Sequence, residues 1–146
     1  MPVIRVVAVC VVLRDDEILV FEGRDAVEGR TFYRPLGGGV EFGERSAETI
    51  VREIREELGI DVRVGRDLGT LENVFTWQSE PRHEVLRVHE ADFIDRGMYA
   101  RDRFDLTEHG EKLQALWLPL ADARNGLETL FPDGLLDLLA GSASTA

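Results

Sequence analysis

Glu53, Glu56 and Glu57 stand at i, i+3 and i+4 in the run Arg52-Glu53-Ile54-Arg55-Glu56-Glu57-Leu58-Gly59-Ile60. On a helix that spacing puts all three carboxylates on one face. The arrangement works against the helix that carries it. Glu53 and Glu57 form a like-charge i,i+4 pair, which costs about 0.2–0.5 kcal/mol. Glu56 and Glu57 fall in the last turn, where the helix dipole disfavours anions by about 0.3–1 kcal/mol. A hard divalent cation resolves the conflict, because Mg²⁺ and Mn²⁺ take oxygen ligands in near-octahedral geometry. Local choices that oppose the fold tend to mark functional sites. Taken alone, the same glutamates also fit a solvated acidic face, laced by the i,i+4 pairs Glu48–Arg52 and Arg52–Glu56.

The elements that must position these carboxylates follow from pattern. Ser46 is the expected N-cap and Gly59 the expected stop of a helix whose apolar face is Ala47, Ile50, Val51, Ile54 and Leu58. Just before it, Leu36-Gly37-Gly38-Gly39-Val40-Glu41-Phe42-Gly43 reads as a glycine-rich loop, where the missing Cβ atoms let backbone or a polyphosphate approach closely. Val3–Leu13 reads as a strand, Arg14–Glu17 as a turn and Ile18–Phe21 as its hairpin partner. Glu22–Arg30 reads as a loop and Thr31–Tyr33 as a short strand ending at Pro35. Further strand signals lie at Val62–Val64, Gly69–Trp77, Glu84–Ile94 and Leu113–Leu118, with Asp95–Gly110 a polar loop. Helices are expected after Pro119 and over Gly134–Leu139. Strands, a helix, more strands and final helices imply a mixed α/β sandwich rather than a bundle.

Loop and helix together are more specific than either. The segment reads Gly38, five residues, Glu44, seven residues, Arg52-Glu53-Ile54, one residue, Glu56-Glu57, one residue, Gly59-Ile60. It resembles the Nudix box of the MutT/Nudix hydrolase family and matches all of its specified positions across residues 38–60. The preceding Arg34-Pro35-Leu36-Gly37-Gly38-Gly39 departs from the commoner Pro-Gly-Gly by placing the proline one residue earlier, and is similar to a subgroup with Arg-Pro-Leu-Gly-Gly-Gly. Glu72-Asn73-Val74-Phe75 followed by His83-Glu84 also looks like that subgroup.

The resemblance implies an α/β/α sandwich with a mixed sheet and a loop-helix-loop motif. It implies that Glu53, Glu56 and Glu57, with the carbonyl of Gly37, bind Mg²⁺ or Mn²⁺. Arg52 would orient the glutamates by a salt bridge, Glu44 would support it, and Gly38 and Gly59 would shape the backbone. The implied reaction is water attack at phosphorus in a nucleoside diphosphate linked to a group X, cleaving a phosphoanhydride bond. The general base would be Glu53 or a downstream loop glutamate, with Glu111 placed ahead of Glu108. Both of those also fit ordinary solvated loop residues.

Substrate contacts are sought among residues near the glycine loop and in the strands. Arg24, Arg30 and Arg34 could hold phosphates as bidentate donors or serve as surface charges. Phe32, Tyr33, Phe75 and Trp77 could stack a base or fill the core. His83 could contact substrate. His83-Glu84 and His89 lack the spacing of a zinc-protease helix, and neither a nucleophile elbow nor a P-loop lysine is present.

Composition bounds the rest. The 146 residues imply one domain, expected over residues 1–140 with a frayed tail at 141–146. Hydrophobic residues at 44% and charged residues at 31% give globular rather than disordered character. One cysteine, Cys10, excludes a disulfide framework. A formal net charge of −11 argues against binding a nucleic-acid polymer or an anionic membrane, but not against a phosphate compound bridged by metal. The N-terminus lacks a signal-peptide pattern, so a cytoplasmic location is expected, and a homodimer by general frequency. Two competing readings are a noncatalytic nucleotide-sensing module on the same fold and a purely structural acidic domain. Intact glutamates oppose the first, and the box opposes the second.

Overall fold

The computed structural model describes residues 2–108 and 110–144, with side chains through Gly141. The strands are β1 (Ile4–Val11), β2 (Leu13–Arg14), β3 (Glu17–Asp25), β4 (Arg30–Pro35), β5 (Gly37–Gly39), β6 (Val62–Trp77), β7 (Glu80–Phe93), β8 (Arg103–Glu108) and β9 (Glu111–Pro119). The helices are α1 (Ser46–Leu58), α2 (Leu120–Arg124) and α3 (Leu135–Ser144), with a 3-10 turn at Arg96–Ala100. One sheet has the order β5-β1-β7-β6, with β1 and β7 parallel and the other pairs antiparallel. The second has the order β2-β3-β9-β8, with β4 paired to β3.

The run from Val7 to Val12 is buried without alternation, as expected of a strand covered on both faces. Ala8, Cys10 and Val12 enter a cluster with Ile50 and Ile54 of α1 and with Phe104 and Trp117. Val7, Val9 and Val11 enter a second cluster with Leu120 of α2 and Leu135 and Leu139 of α3. Helices therefore cover both sides of the strand layer, which is the expected mixed α/β sandwich. α1 lies on the side that also packs β8, and this brings the box helix against the second sheet.

Several local expectations are corrected. The apolar run Val3–Leu13 is two strands, because the chain changes sheets at Val12. Only Leu13–Arg14 forms the hairpin with β3, while β1 pairs with β5 and β7. The glycine loop is partly a strand: Gly37, Gly38 and Gly39 pair with Val9, Ala8 and Val7. A Cβ on Gly37 would lie 1.9 Å from the Ala8 carbonyl oxygen, so glycine permits this close pairing. The loop expected at Glu22–Arg30 shrinks to residues 26–29, because β3 and β4 form a long hairpin. The expected loop Asp95–Gly110 holds the 3-10 turn and β8, whose alternating Phe104 and Leu106 are buried. Strand signals at Val62–Val64 and Gly69–Trp77 belong to one strand, bulged around Asp67. α3 carries helix through Ser144, into the stretch expected to fray.

The N-cap of α1 is Arg45 rather than Ser46. Glu48 Oε1 accepts from the Arg45 backbone N–H at 2.9 Å, and the Ser46 hydroxyl instead bonds His89 Nε2 at 2.7 Å. The helix stops as expected at Gly59, whose φ of 68° lies in the left-handed region and whose N–H donates to the Arg55 carbonyl.

Candidate active site

α1 presents its carboxylates to a cavity of about 390 Å³ lined by Gly37, Gly38, Gly39, Glu53, Glu56, Glu57 and Glu108, among others. Arg52 organises this end. Its Nε and a terminal nitrogen donate to the two oxygens of Glu44 at 2.6 and 3.0 Å, a bidentate pair. The same guanidinium donates to Glu53 at 2.9 Å, Glu56 at 3.3 Å and the Gly39 carbonyl at 3.2 Å. Glu44 is fixed in turn by the Thr49 hydroxyl at 2.7 Å and the Glu41 N–H at 3.1 Å. The Arg52 hydrogen bonds, then that of Thr49, hold the Glu44 carboxyl well below its usual range, at about 2. Gly38 is required here on steric grounds, since a Cβ would lie 2.3 Å from Glu53 Cδ. The glycine lets the Glu53 side chain lie directly over the strand.

The carboxylates are crowded. Burial pushes the Glu57 carboxyl up to about 9, aided by its hydrogen bond to Glu53 and by the nearby charges of Glu108, Glu53 and Glu56. Like charges gathered in a half-buried place hold a proton unless a cation replaces it. The set consists of hard oxygen donors, the donor type Mg²⁺ and Mn²⁺ prefer, so the residues present fit a divalent ion. Among the described residues no three His, Cys, Asp or Glu side chains are already closed into a metal cage. The donors line one cavity.

A second cavity, about 740 Å³, adjoins the first and shares Arg5, Phe21, Arg34, Glu84 and Glu108 with it. Arg34, Arg24, Arg30, Phe32, Phe75 and Trp77 line it, which brings together six of the residues sought for substrate contact. Tyr33 and His83 do not line either cavity. Both sit one position out of phase: Phe32 and Arg34 of β4, and Arg82 and Glu84 of β7, face the cavity, so their neighbours face away. Tyr33 packs on the second core cluster, and its backbone bonds Thr129 and Phe131. His83 Nε2 stands 3.5 Å from Glu72 Oε1. Glu111, expected ahead of Glu108 from the sequence, lines only the larger cavity, whereas Glu108 lines both and its charge acts on the Glu57 carboxyl.

Sequence reasoning missed Arg5 and the use of Glu84. Glu84 is 6% exposed, and its two oxygens face Arg34 at 3.5 Å and Arg5 at 3.6 Å. This pair of cations is held where the two cavities meet. The available signal was an acidic residue directly before the strand-forming stretch Val85-Leu86-Arg87-Val88. Asn73 was also missed as a cavity wall. Its amide is locked to Asp133 by reciprocal bonds of 2.8 and 3.3 Å.

An acid-lined helix face beside a glycine strand, with paired arginines at the mouth of a larger aromatic cavity, sets hard oxygen donors next to cationic groups. A NUDIX domain model matches residues 4–139, and the chain belongs to the Nudix family. It is 32% identical over 98 residues to the CTP pyrophosphohydrolase of Escherichia coli strain K12, covering 62% of this chain and 72% of that protein. A MutT NUDIX hydrolase from Burkholderia pseudomallei shares 25% identity, with TM-score 0.60 over 82% of this chain and 85% of that one. A NUDIX hydrolase from Nitrosomonas europaea, at 16% identity, has the same fold with TM-score 0.68 over 99% of this chain and 90% of that one. These matches bear out the expected enzyme class, a Nudix pyrophosphohydrolase, and the expected architecture. Nudix hydrolases generally use divalent metal ions and act on small nucleotide derivatives. No described helix is long and apolar enough to cross a membrane.

Proposed function

We propose that this protein hydrolyses a phosphoanhydride bond in a nucleoside diphosphate linked to X, with Mg²⁺ or Mn²⁺ held by Glu53, Glu56, Glu57 and the Gly37 carbonyl. The observation that carries this reading is the junction of the two cavities at Arg5, Arg34, Glu84 and Glu108. A phosphate chain lying across the junction would have its reacting end among the carboxylates and its organic end in the larger cavity. Arg34 and Arg5 would bind the chain's oxygens, and Glu84 orients both guanidinia. Arg52 holds Glu53 in one orientation over Gly38, which suits Glu53 to take the proton of the attacking water. Glu108 is the alternative base or a further ligand. A bound divalent ion supplies charge neutralisation and polarisation of the phosphoryl oxygens.

The relative named for CTP makes a cytidine nucleotide the first substrate to try. The same reading carries a single domain over residues 1–140, a cytoplasmic location and a homodimer. The test is a phosphate- and monophosphate-release panel with Mg²⁺ or Mn²⁺, covering nucleoside triphosphates, dinucleoside polyphosphates, nucleotide sugars and nonnucleotide pyrophosphates. One class should turn over, and Glu53→Gln and Glu57→Gln should each lose about 10²–10⁴-fold. Turnover of no class, with a nucleotide still bound, would replace the hydrolase reading with the sensing module.

A further inference from the structure

Asp25 is 1% exposed, yet it lines the larger cavity at the end of β3. One of its carboxyl oxygens has a structural role. Oδ1 accepts from the backbone N–H groups of Val27 and Glu28 at 3.0 and 3.2 Å, which holds the turn to β4. The other, Oδ2, is buried with no hydrogen-bond partner. Arg30, its cross-strand neighbour, does not answer it, since the Arg30 guanidinium is paired with Glu28 at 2.7 Å. A buried acceptor left open costs stability unless something else donates to it.

The surroundings say what the donor would be. Gly23, two residues earlier on the same strand face, lies under the ring of Phe32: a Cβ there would come within 2.5 Å of the ring. Phe32 meets Trp77 edge-on at 5.2 Å and Phe131 at 5.3 Å, so the wall next to Asp25 is aromatic. Aromatic rings at that wall offer a planar heterocycle a surface to pack against.

We propose that Asp25 is the base-reading residue of the larger cavity, its Oδ2 accepting a hydrogen bond from the amino group of a nucleobase seated against Phe32 and Trp77. The inference rests on the nucleotide reading given above and adds the chemistry of its organic end. The substrate is then a cytosine, adenine or guanine compound, recognised through its amino group.

The test compares binding of 5′-monophosphates in pairs that differ only in that group, with Mg²⁺ present. The pairs are CMP against its 4-desamino analogue, AMP against purine riboside 5′-monophosphate, and GMP against IMP. In one pair the wild type should bind the amino member about tenfold more tightly, the size of one charge-assisted hydrogen bond. Asp25→Asn keeps an Oδ1 acceptor for the turn but sets an N–H against the ligand's N–H, and should reduce the preference to within about twofold. Equal or absent binding of both members in every pair by the wild type overturns the proposal without any variant. So does a preference that survives in a folded Asp25→Asn protein. Binding is read apart from cleavage: a protein that hydrolyses nucleotides but ignores the amino group refutes Asp25 alone. One that reads the amino group but hydrolyses nothing refutes the hydrolase reading alone.

Discussion

The two adjoining cavities are built on opposite principles. At the carboxylate end polar groups answer one another: Arg52 alone reaches Glu44, Glu53, Glu56 and the Gly39 carbonyl, and Glu44 is fixed by Thr49 and Glu41 as well. At the aromatic end the walls are firm but polar atoms are left over, among them Asp25 Oδ2 and Arg82 Nε. A catalytic centre must hold its ligands within a fraction of an ångström, so its partners are supplied from within the chain. A recognition cavity must leave groups for the substrate to satisfy. Saturation marks the chemistry, and unsatisfied polarity marks the specificity.

The sharpest way to break this contrast is a pair of adjacent glycines. In Gly38→Ala the three atoms nearest the added methyl all belong to the Glu53 side chain, which can swing away. The fold should survive while kcat falls on the order of 10²-fold, because displacing a catalytic group by about 1 Å costs that much. In Gly37→Ala the methyl meets the Ala8 backbone in the sheet, so soluble yield and Tm should fall instead. Circular dichroism melts beside turnover assays separate the two, and equal behaviour of both variants would show that Gly38 has no special relation to Glu53. The next effect is thermal. Saturating Mg²⁺ at about 100 times its Kd should stabilise the protein by about 2.7 kcal/mol, seen as a rise in Tm that EDTA reverses. Glu57→Gln should lose most of that rise, whereas Asp25→Asn should keep it.

How far each end was legible in the sequence follows from how it is assembled. The helix carboxylates of that end lie within residues 38–60, where helical spacing alone puts Glu53, Glu56 and Glu57 on one face, while Gly37, Glu84 and Glu108 reach the same cavity from strands. The aromatic end is drawn from β1, β3, β4, β6, β7, β8 and β9, with Phe131 and Pro132 beyond them, so most of its members are neighbours only through strand register. Of the residues singled out for substrate contact, Arg24, Arg34 and Phe75 line the cavity, but Tyr33 and His83 do not. A strand's inward phase cannot be read where both faces carry polar or aromatic groups. Arg5 was invisible because parallel pairing of β1 with β7, which sets Arg5 opposite Glu84, joins segments far apart in the chain. The architecture was easier to read than its strand boundaries. The crossing between sheets at Val12 leaves no mark in an unbroken apolar run.

The arginines at the junction sharpen the comparison further, because they belong to both ends. Arg34→Ala should raise KM for the substrate about tenfold with a smaller change in kcat, as expected when a contact binds substrate and transition state alike. Arg34→Lys should recover only part of that, because an ammonium cannot reproduce the bidentate fork. A loss confined to kcat would move Arg34 to the chemical end of the site.

The smallest effect concerns the saturated end alone and is read through pH. The Glu44 carboxyl titrates at about 2 in the folded protein against an ordinary value near 4.5, chiefly because Arg52 and Thr49 donate to it. Its folded-state pKa is depressed, so the folded chain stays ionised where the unfolded chain takes up a proton. The stability this gives is fully present above about pH 4.5 and is lost as pH falls towards 2. Glu44→Gln removes the titration while keeping the shape. The Tm difference between wild type and variant should be greatest at neutral pH, hold nearly constant down to about pH 5, and shrink below about pH 4.5. A difference that stays constant down to about pH 2 would mean that the Glu44–Arg52 pair acts by packing rather than by charge. The carboxylate end would then owe its rigidity to sterics, like the aromatic wall beside it.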